Sequence, residues 1–322
     1  MVQTFRDLIA ENKRNSLLLV LVFCLFVTAF AGIIGLATLA YFSPRQFAHL
    51  NILEGLAVGA IAAGIALVLS LISYYSGDSL ILAINHAKPL QHADDPELFN
   101  VVEEMTIAAG IPMPAIYLMQ DEAPNAFATG RDPQHASVSI TSGLRQKLNR
   151  EELQGVIAHE LAHIRNYDIR LMLLMTVLVG TVVMLADFFW QTMRFSGGGS
   201  DRRDRDSKEG SNPLGIVLIV VAVILAIIAP FLAQIIQLAV SRQREYLADA
   251  TAVELTRYPL GLANALRKID ADPHELAYAN RGTAHLFIAN PIKKFEARAQ
   301  SAFSSHPPIQ DRIARLEALA HV

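Results

Sequence analysis

Five consecutive residues carry the strongest chemical signal in this 322-residue chain: His159-Glu160-Leu161-Ala162-His163. The flanking residues suit a helix, and on a helix residues four apart share a face. Both imidazoles can therefore reach one metal ion. Glu160 stands about 100° round the helix from His159 and about 60° from His163. That is close to the metal but badly placed to bind it alongside both histidines. It can instead face a water in the open coordination position and act as a general base. Neutral imidazole suits zinc, and catalytic zinc takes three protein ligands plus a water. The plainer reading, two structural histidines, gives Glu160 no purpose. The chain also contains a control: His274-Glu275 begins the same way, but Tyr278 stands where the second histidine would be.

Two more ligand candidates follow much later, in Ser241-Arg242-Gln243-Arg244-Glu245-Tyr246-Leu247-Ala248-Asp249. Glu245 and Asp249 are four apart, so a helix presents both carboxylates on one side. One can bind the metal while the other accepts the free N–H of a ligating histidine and fixes its tautomer. The same stretch also reads as a charged helix surface, with Arg242 and Arg244 paired to the acids, and spacing alone does not choose. Cys24 is the only cysteine, which excludes disulfides and four-thiolate zinc sites.

Positioning these residues falls to elements of unusual composition. The chain is 52% hydrophobic and only 18% charged, against about 25% charged in soluble domains. Disorder is excluded by this apolar content. A net charge of −3 gives no electrostatic case for nucleic acid. Residues 15–44, 55–77 and 211–241 hold no charged residue. Each meets the roughly 20 apolar residues that a bilayer span needs. A weaker fourth segment runs over residues 171–186 and on through Asp187 into Phe188, Phe189 and Trp190. The first run is too long for the roughly 7–15-residue core of a signal peptide and reads as a retained anchor.

With both termini inside, 21 of the 27 Lys and Arg residues fall on the inner side. The positive-inside rule then makes the N-terminus, the middle segment and the C-terminus cytoplasmic. The loop after the third span begins Ser196-Gly197-Gly198-Gly199-Ser200 and continues with mixed charges. It reads as a flexible linker over residues 194–213, and a re-entrant hairpin is the alternative to a full crossing. The expected organisation is an N-terminal tail with two spans (1–77), a first soluble part with the H-E-x-x-H helix (78–170), a membrane hairpin (171–241) and a helical second part (242–322). In the first soluble part, a helix is expected around residues 97–109. Short runs at 115–119, 125–129 and 136–141 predict a small sheet, the last two forming a hairpin across Gly130-Arg131-Asp132-Pro133-Gln134. By residue count, the H-E-x-x-H helix enters its span within eight residues of His163, and Glu245 comes within a few residues of the end of the returning span. The hairpin thus returns Glu245 toward His159 and His163, on the order of 10 Å above the membrane face at 1.5 Å per residue.

These residues together resemble the HtpX-type membrane zinc metalloproteases, relatives of the CAAX prenyl proteases. The resemblance rests on Asn125-Ala126-Phe127-Ala128, His159 to His163, the run from Ser241 to Asp249, and Ser305-His306-Pro307 followed by Arg312-Ile313. It implies one Zn2+ held by His159, His163 and Glu245, with Glu160 as the base and Asp249 supporting the site. Arg242 and Arg244 belong to the same motif, and helix-end charge pairing describes them equally well. Asn125 and Ala126 resemble the family's substrate-binding edge strand, where a peptide would add as a further strand. His306 is expected near the reaction centre, where it would stabilise the oxyanion. The glycine-rich charged insert is a departure from the family pattern and bears only on topology.

The expected fold is a mainly α integral membrane protein: four transmembrane helices and a zincin-type α+β protease domain with a small β-sheet. The expected function is a zinc endopeptidase in the bacterial inner membrane, its active site facing the cytoplasm. It would cleave polypeptides, membrane proteins among them, in quality control under stress, with the lipid bilayer as its other partner. A prenyl-peptide processing protease is the alternative within the class, although four spans are few for the chamber of such enzymes. A metal-sensing transporter or scaffold is the alternative outside it. Transport usually leaves ionisable residues within spans, and here only Asp187 does so.

Overall fold

The computed structural model describes residues 5–42, 52–197, 213–277, 283–291 and 307–320. The helices and strands are α1 (Phe5–Phe42), α2 (Ile52–Ile84), β1 (Lys88–Pro89), α3 (Pro96–Ala109), β2 (Ala115–Met119), β3 (Ala126–Gly130), β4 (Ala136–Thr141), α4 (Ser142–Lys147), α5 (Arg150–Arg165), α6 (Asp168–Gly197), α7 (Pro213–Thr256), α8 (Pro259–Ala271) and α9 (Ile309–Ala320), with 3-10 turns at Pro133–His135 and Ala284–Leu286. The described residues are thus mainly helical, with one small mixed sheet.

The chain groups into two compact units. One comprises Met1–Lys13, Ser73–Thr176 and Ile235–Val322; the other comprises Arg14–Ile72 and Val177–Gln234. The second unit holds the apolar parts of α1, α2, α6 and α7. Among the described residues, no helix is long and apolar enough to cross a membrane. In α1 the longest uninterrupted run of described side chains is residues 25–40, which holds no charged residue. The greater part of the expected flexible loop, residues 198–212, lies outside the described residues.

In the first unit the sheet order is β1-β2-β4-β3. β2 runs parallel to β4, whereas β3 and β4 form the antiparallel hairpin expected from their turn sequence. Gly130 ends β3 at φ 137°, and a Cβ there would sit 2.2 Å from the His135 carbonyl oxygen. Only glycine combines this dihedral with so close a return of the chain.

Helix α5 packs against α3, α8 and β3. Its start is built locally. The Asn149 side chain accepts from the Glu152 N–H, and the Glu152 carboxylate accepts from the Asn149 N–H, which satisfies two otherwise orphaned donors. Every residue from Gly155 to Ile164 is buried. A Cβ on Gly155 would lie 2.6 Å from the Leu262 nitrogen, so glycine sets how closely α5 approaches α8. Leu153, Val156, Ile157 and Leu161 join Leu98, Val101 and Val102 of α3 and Leu262 and Leu266 of α8 in one apolar core. A helix enclosed on all sides must pair any polar group it carries, and α5 carries His159, Glu160 and His163.

Candidate metal centre

Three side chains converge from α5 and α7. His159 Nε2 lies 3.2 Å from His163 Nε2. It lies 3.5 Å from Glu245 Oε2, and His163 Nε2 lies 3.4 Å from Glu245 Oε1. Tetrahedral zinc with bonds of about 2.0–2.1 Å would hold its ligand atoms about 3.3–3.4 Å apart. The two nitrogens stand at about that spacing, each with a different Glu245 oxygen at 3.4–3.5 Å, and one ligand atom from each of the three residues lies within 4.8 Å of the others. All three residues are buried, Glu245 to 1% and His163 to 4% exposure.

The opposite edge of each imidazole explains why these atoms converge. His159 Nδ1 lies 3.0 Å from Asp249 Oδ1, and His163 Nδ1 lies 3.1 Å from Asp168 Oδ2. Each Nδ1–H is thereby directed to a carboxylate, which leaves each Nε2 lone pair directed at the other and at Glu245. Such a gathering of lone pairs is relieved only by a cation between them, a proton or a metal ion.

Each supporting aspartate is held in turn by a buried arginine. Arg312 donates from Nε and Nη2 to the two Asp249 oxygens at 2.9 and 2.7 Å, and from Nη1 to the Ile288 carbonyl at 2.7 Å. Its Nη1 is also 3.2 Å from Glu245 Oε2. Arg244 donates from Nη1 to Asp168 Oδ1 at 2.5 Å. Among the described residues, Glu245 and Asp249 face Arg312, and Asp168 faces Arg244. Two imidazole nitrogens and a carboxylate are a donor set that catalytic zinc takes, so the residues present fit that ion.

Titration of the site follows from the same contacts. Burial disfavours the imidazolium of His163, but its bonds to Asp168 and Glu245 and their charges outweigh this and raise its pKa to about 10. His159 behaves alike: burial lowers its pKa, and the bonds to Asp249 and Glu245 bring the net change upward. Burial pushes the Glu160 carboxyl up, and the Glu245 charge adds to that, against His159, His163 and Arg312. Neither Glu160 oxygen has a hydrogen-bond partner among the described residues. A buried carboxyl with unused oxygens beside a metal triangle is equipped to exchange a proton with a water or a leaving group.

His159, Glu160, His163, Glu245 and Asp249 come together. Arg244 joins them through Asp168. Arg242 lies on α7, with its side chain outside the described residues, as is the whole of His306. Asn125 and Ala126 stand at the outward edge of β3 but are buried there. The Ile288 N–H donates to the Ala126 carbonyl at 2.9 Å, and the Asn125 Nδ2 donates to the Ala289 carbonyl at 3.0 Å. The expected peptide-binding edge is therefore paired at this point with the chain's own residues 287–289.

Sequence reasoning gave no role to Asp168 or Arg312. Asp168 follows His163 by five residues, which in a continuous helix lies about 140° away. The helix breaks between them at Tyr167, whose φ is 62°. Tyrosine gives no warning of a left-handed residue. Arg312 did leave a signal. Ile309, Ile313 and Leu316 form the apolar stripe of α9, and Arg312 sits within it, buried. A charge on an apolar stripe needs a buried partner.

Known proteins supply the context for this geometry. Residues 92–320 match the model of Peptidase family M48. A protein named Protease HtpX homolog from Caldanaerobacter subterraneus subsp. tengcongensis is 43% identical over 322 residues, covering 98% of either chain. A protein of the same name from Lactobacillus helveticus is 41% identical over 312 residues, covering 97% of this chain and 98% of that one. Among solved structures, the crystal structure of S. mikatae Ste24p is similar with a TM-score of 0.50 at 20% identity, covering 91% of this chain and 62% of that one. That last likeness concerns the fold alone. The family match spans most of the chain and the relatives run its full length, so the chain belongs to Peptidase family M48 and is a metalloendopeptidase.

Proposed function

We propose that this metallopeptidase uses a single zinc ion held by His159, His163 and Glu245, with Glu160 as general base and acid. The observation that carries this is the convergence of His159 Nε2, His163 Nε2 and the Glu245 carboxylate, one ligand atom from each within 4.8 Å of the others, beside a buried Glu160 whose oxygens have no hydrogen-bond partner among the described residues. Zinc in such a site supplies Lewis-acid activation of a water and of the scissile carbonyl. The protein's own residues do the rest. Glu160 takes a proton from the attacking water as its oxygen bonds to the carbonyl carbon. It then gives that proton to the leaving amine nitrogen as the C–N bond breaks. Its upward-shifted pKa suits both halves of this exchange. Asp249 keeps His159 in the tautomer with Nε2 free to bind. His306, Arg242 and the strand edge at Asn125 and Ala126 remain part of the proposal by resemblance. A peptide adding at that edge requires residues 287–289 to give up their bonds to it.

The second part of the proposal is location. Four spans, in α1, α2, α6 and α7, would hold the enzyme in the bacterial inner membrane with the site on the cytoplasmic face. Large apolar side chains stand exposed along three of these helices, among them Leu25 at 70%, Ile61 at 64% and Val217 at 57%. Exposed apolar faces of this extent mark a surface meant for something other than water. Because Glu245 follows the apolar part of α7 by only a few residues in the sequence, the proposed substrates are membrane proteins or their juxtamembrane segments, and the proposed role is quality control. Equal cleavage of soluble and bilayer-embedded substrates by the reconstituted protein would remove that substrate preference.

The direct test is metal removal. The detergent-purified protein should carry one zinc per chain and cleave casein. A chelator should abolish cleavage and stoichiometric zinc should restore it. Undiminished cleavage by fully chelated protein would overturn the reading.

A further inference from the structure

We propose that Asp168, braced by Arg244, is a positioning residue that orients His163 for metal binding. This rests on His163 being a ligand. Asp168 is fully buried, and its two oxygens meet different partners: Oδ2 lies 3.1 Å from His163 Nδ1, and Oδ1 accepts from Arg244. Two directed contacts fix the plane of the carboxylate. The carboxylate fixes the imidazole tautomer and the ring rotation, and these aim Nε2 at the 3.4 Å contact with Glu245.

Backbone geometry supports a functional origin for this contact. Asp168 reaches His163 only because Tyr167 adopts φ 62°. A non-glycine residue in the left-handed region is strained and persists where its surroundings over-determine it. Here the turn ends α5 at Arg165 and starts α6 at Asp168, which returns the carboxylate to the histidine it has just passed. The arrangement repeats that of His159, Asp249 and Arg312, with the aspartate from α6 and the arginine from α7 in place of α7 and α9. Arg244 precedes the ligand Glu245 directly, so one turn of α7 supplies a metal ligand and the brace for another ligand's partner. Packing alone does not require this.

The test uses the full chain in detergent and compares wild type with Asp168→Ala, Asp168→Asn and Arg244→Lys. Two readouts are taken: zinc affinity against a chromophoric chelator, and the ligand-field spectrum of the cobalt-substituted protein at saturating Co2+. Loss of a histidine's outer partner typically weakens metal binding about 10–100-fold. Asp168→Ala should fall in that range and shift the cobalt bands. Asp168→Asn, which keeps an acceptor but not the charge, should fall between it and wild type. Arg244→Lys should stay nearest wild type. A merely structural role would lower the melting temperature while leaving the saturated cobalt spectrum unchanged, and that result overturns the proposal. Should Asp168→Ala not fold, Asp168→Asn decides by the same two readouts. If the wild-type protein binds neither metal, the metal-centre reading itself fails, a result distinct from wild-type binding that the variants do not alter.

Discussion

The two sides of the metal centre are built in opposite ways. On one side, α5 brings His159, Glu160 and His163 within five consecutive residues, arranged by helical period alone. On the other, Asp168 starts α6, Arg244, Glu245 and Asp249 come from α7, and Arg312 comes from α9. In the proposed mechanism, the first side holds the group that moves protons. The second holds the groups that aim ligands and balance charge. Chemistry is thus concentrated in one turn and a half of helix, while its geometry depends on elements up to 153 residues apart, the separation of His159 and Arg312.

The sharpest way to break this division is to remove one carboxyl from each side. Glu160→Gln should lower peptide cleavage by about 10²–10⁴-fold, the usual contribution of general acid–base catalysis, with zinc content unchanged. Glu245→Ala should lose the zinc itself, and cleavage with it. If Glu160→Gln also lost its metal, Glu160 would belong to the ligand set and the division would fail.

A second difference lies in titration, because the second side raises the pKa of the first. In the metal-free protein His163 moves from 6.5 to about 10 through Asp168 and Glu245, against its burial. A raised histidine pKa means that protonation stabilises the fold fully below pH 6.5, a contribution lost as pH rises toward 10. Zinc competes for the same nitrogen, so its affinity should run the other way, strengthening across that window. Thermal melts of chelated protein and zinc titrations over the window check both signs. Coincident, flat profiles would detach Asp168 and Glu245 from His163.

The smallest effect is expected at the sheet edge, outside both sides of the centre. Asn125→Ala removes the bond from its Nδ2 to the Ala289 carbonyl and leaves that buried acceptor unmet. A loss of about 1–3 kcal/mol in unfolding free energy follows, with zinc content unchanged. A drop in zinc content would tie residues 287–289 to the metal centre rather than to the sheet, through Arg312 and its bond to the Ile288 carbonyl.

Much of this molecule was legible in the sequence. Helix α3 and the β3–β4 hairpin occur within a residue or so of their expected bounds, because a proline-led helix start and a Gly-to-Pro turn act over a few residues. The pairing of residues 287–289 with β3 was not legible, since nothing in a short apolar segment names its partner across more than 150 residues. Nor was the turn at Tyr167, where tertiary packing holds a dihedral that tyrosine does not favour.

The sequence by itself determined that two histidines and a glutamate share one stretch of helix, because a period of 3.6 residues admits no other arrangement for H-E-x-x-H. Helical spacing left Glu245 and Asp249 equivalent, since both lie on the same side of α7, and it was the family resemblance that gave the ligand role to Glu245. The tertiary structure separates them by geometry. Glu245 reaches the Nε2 atoms of both histidines, whereas Asp249 takes the Nδ1 of His159 and is clasped by Arg312. The physical reason is that spacing sets which residues share a face, while the height and rotation of one helix against another decide which atom each of them meets.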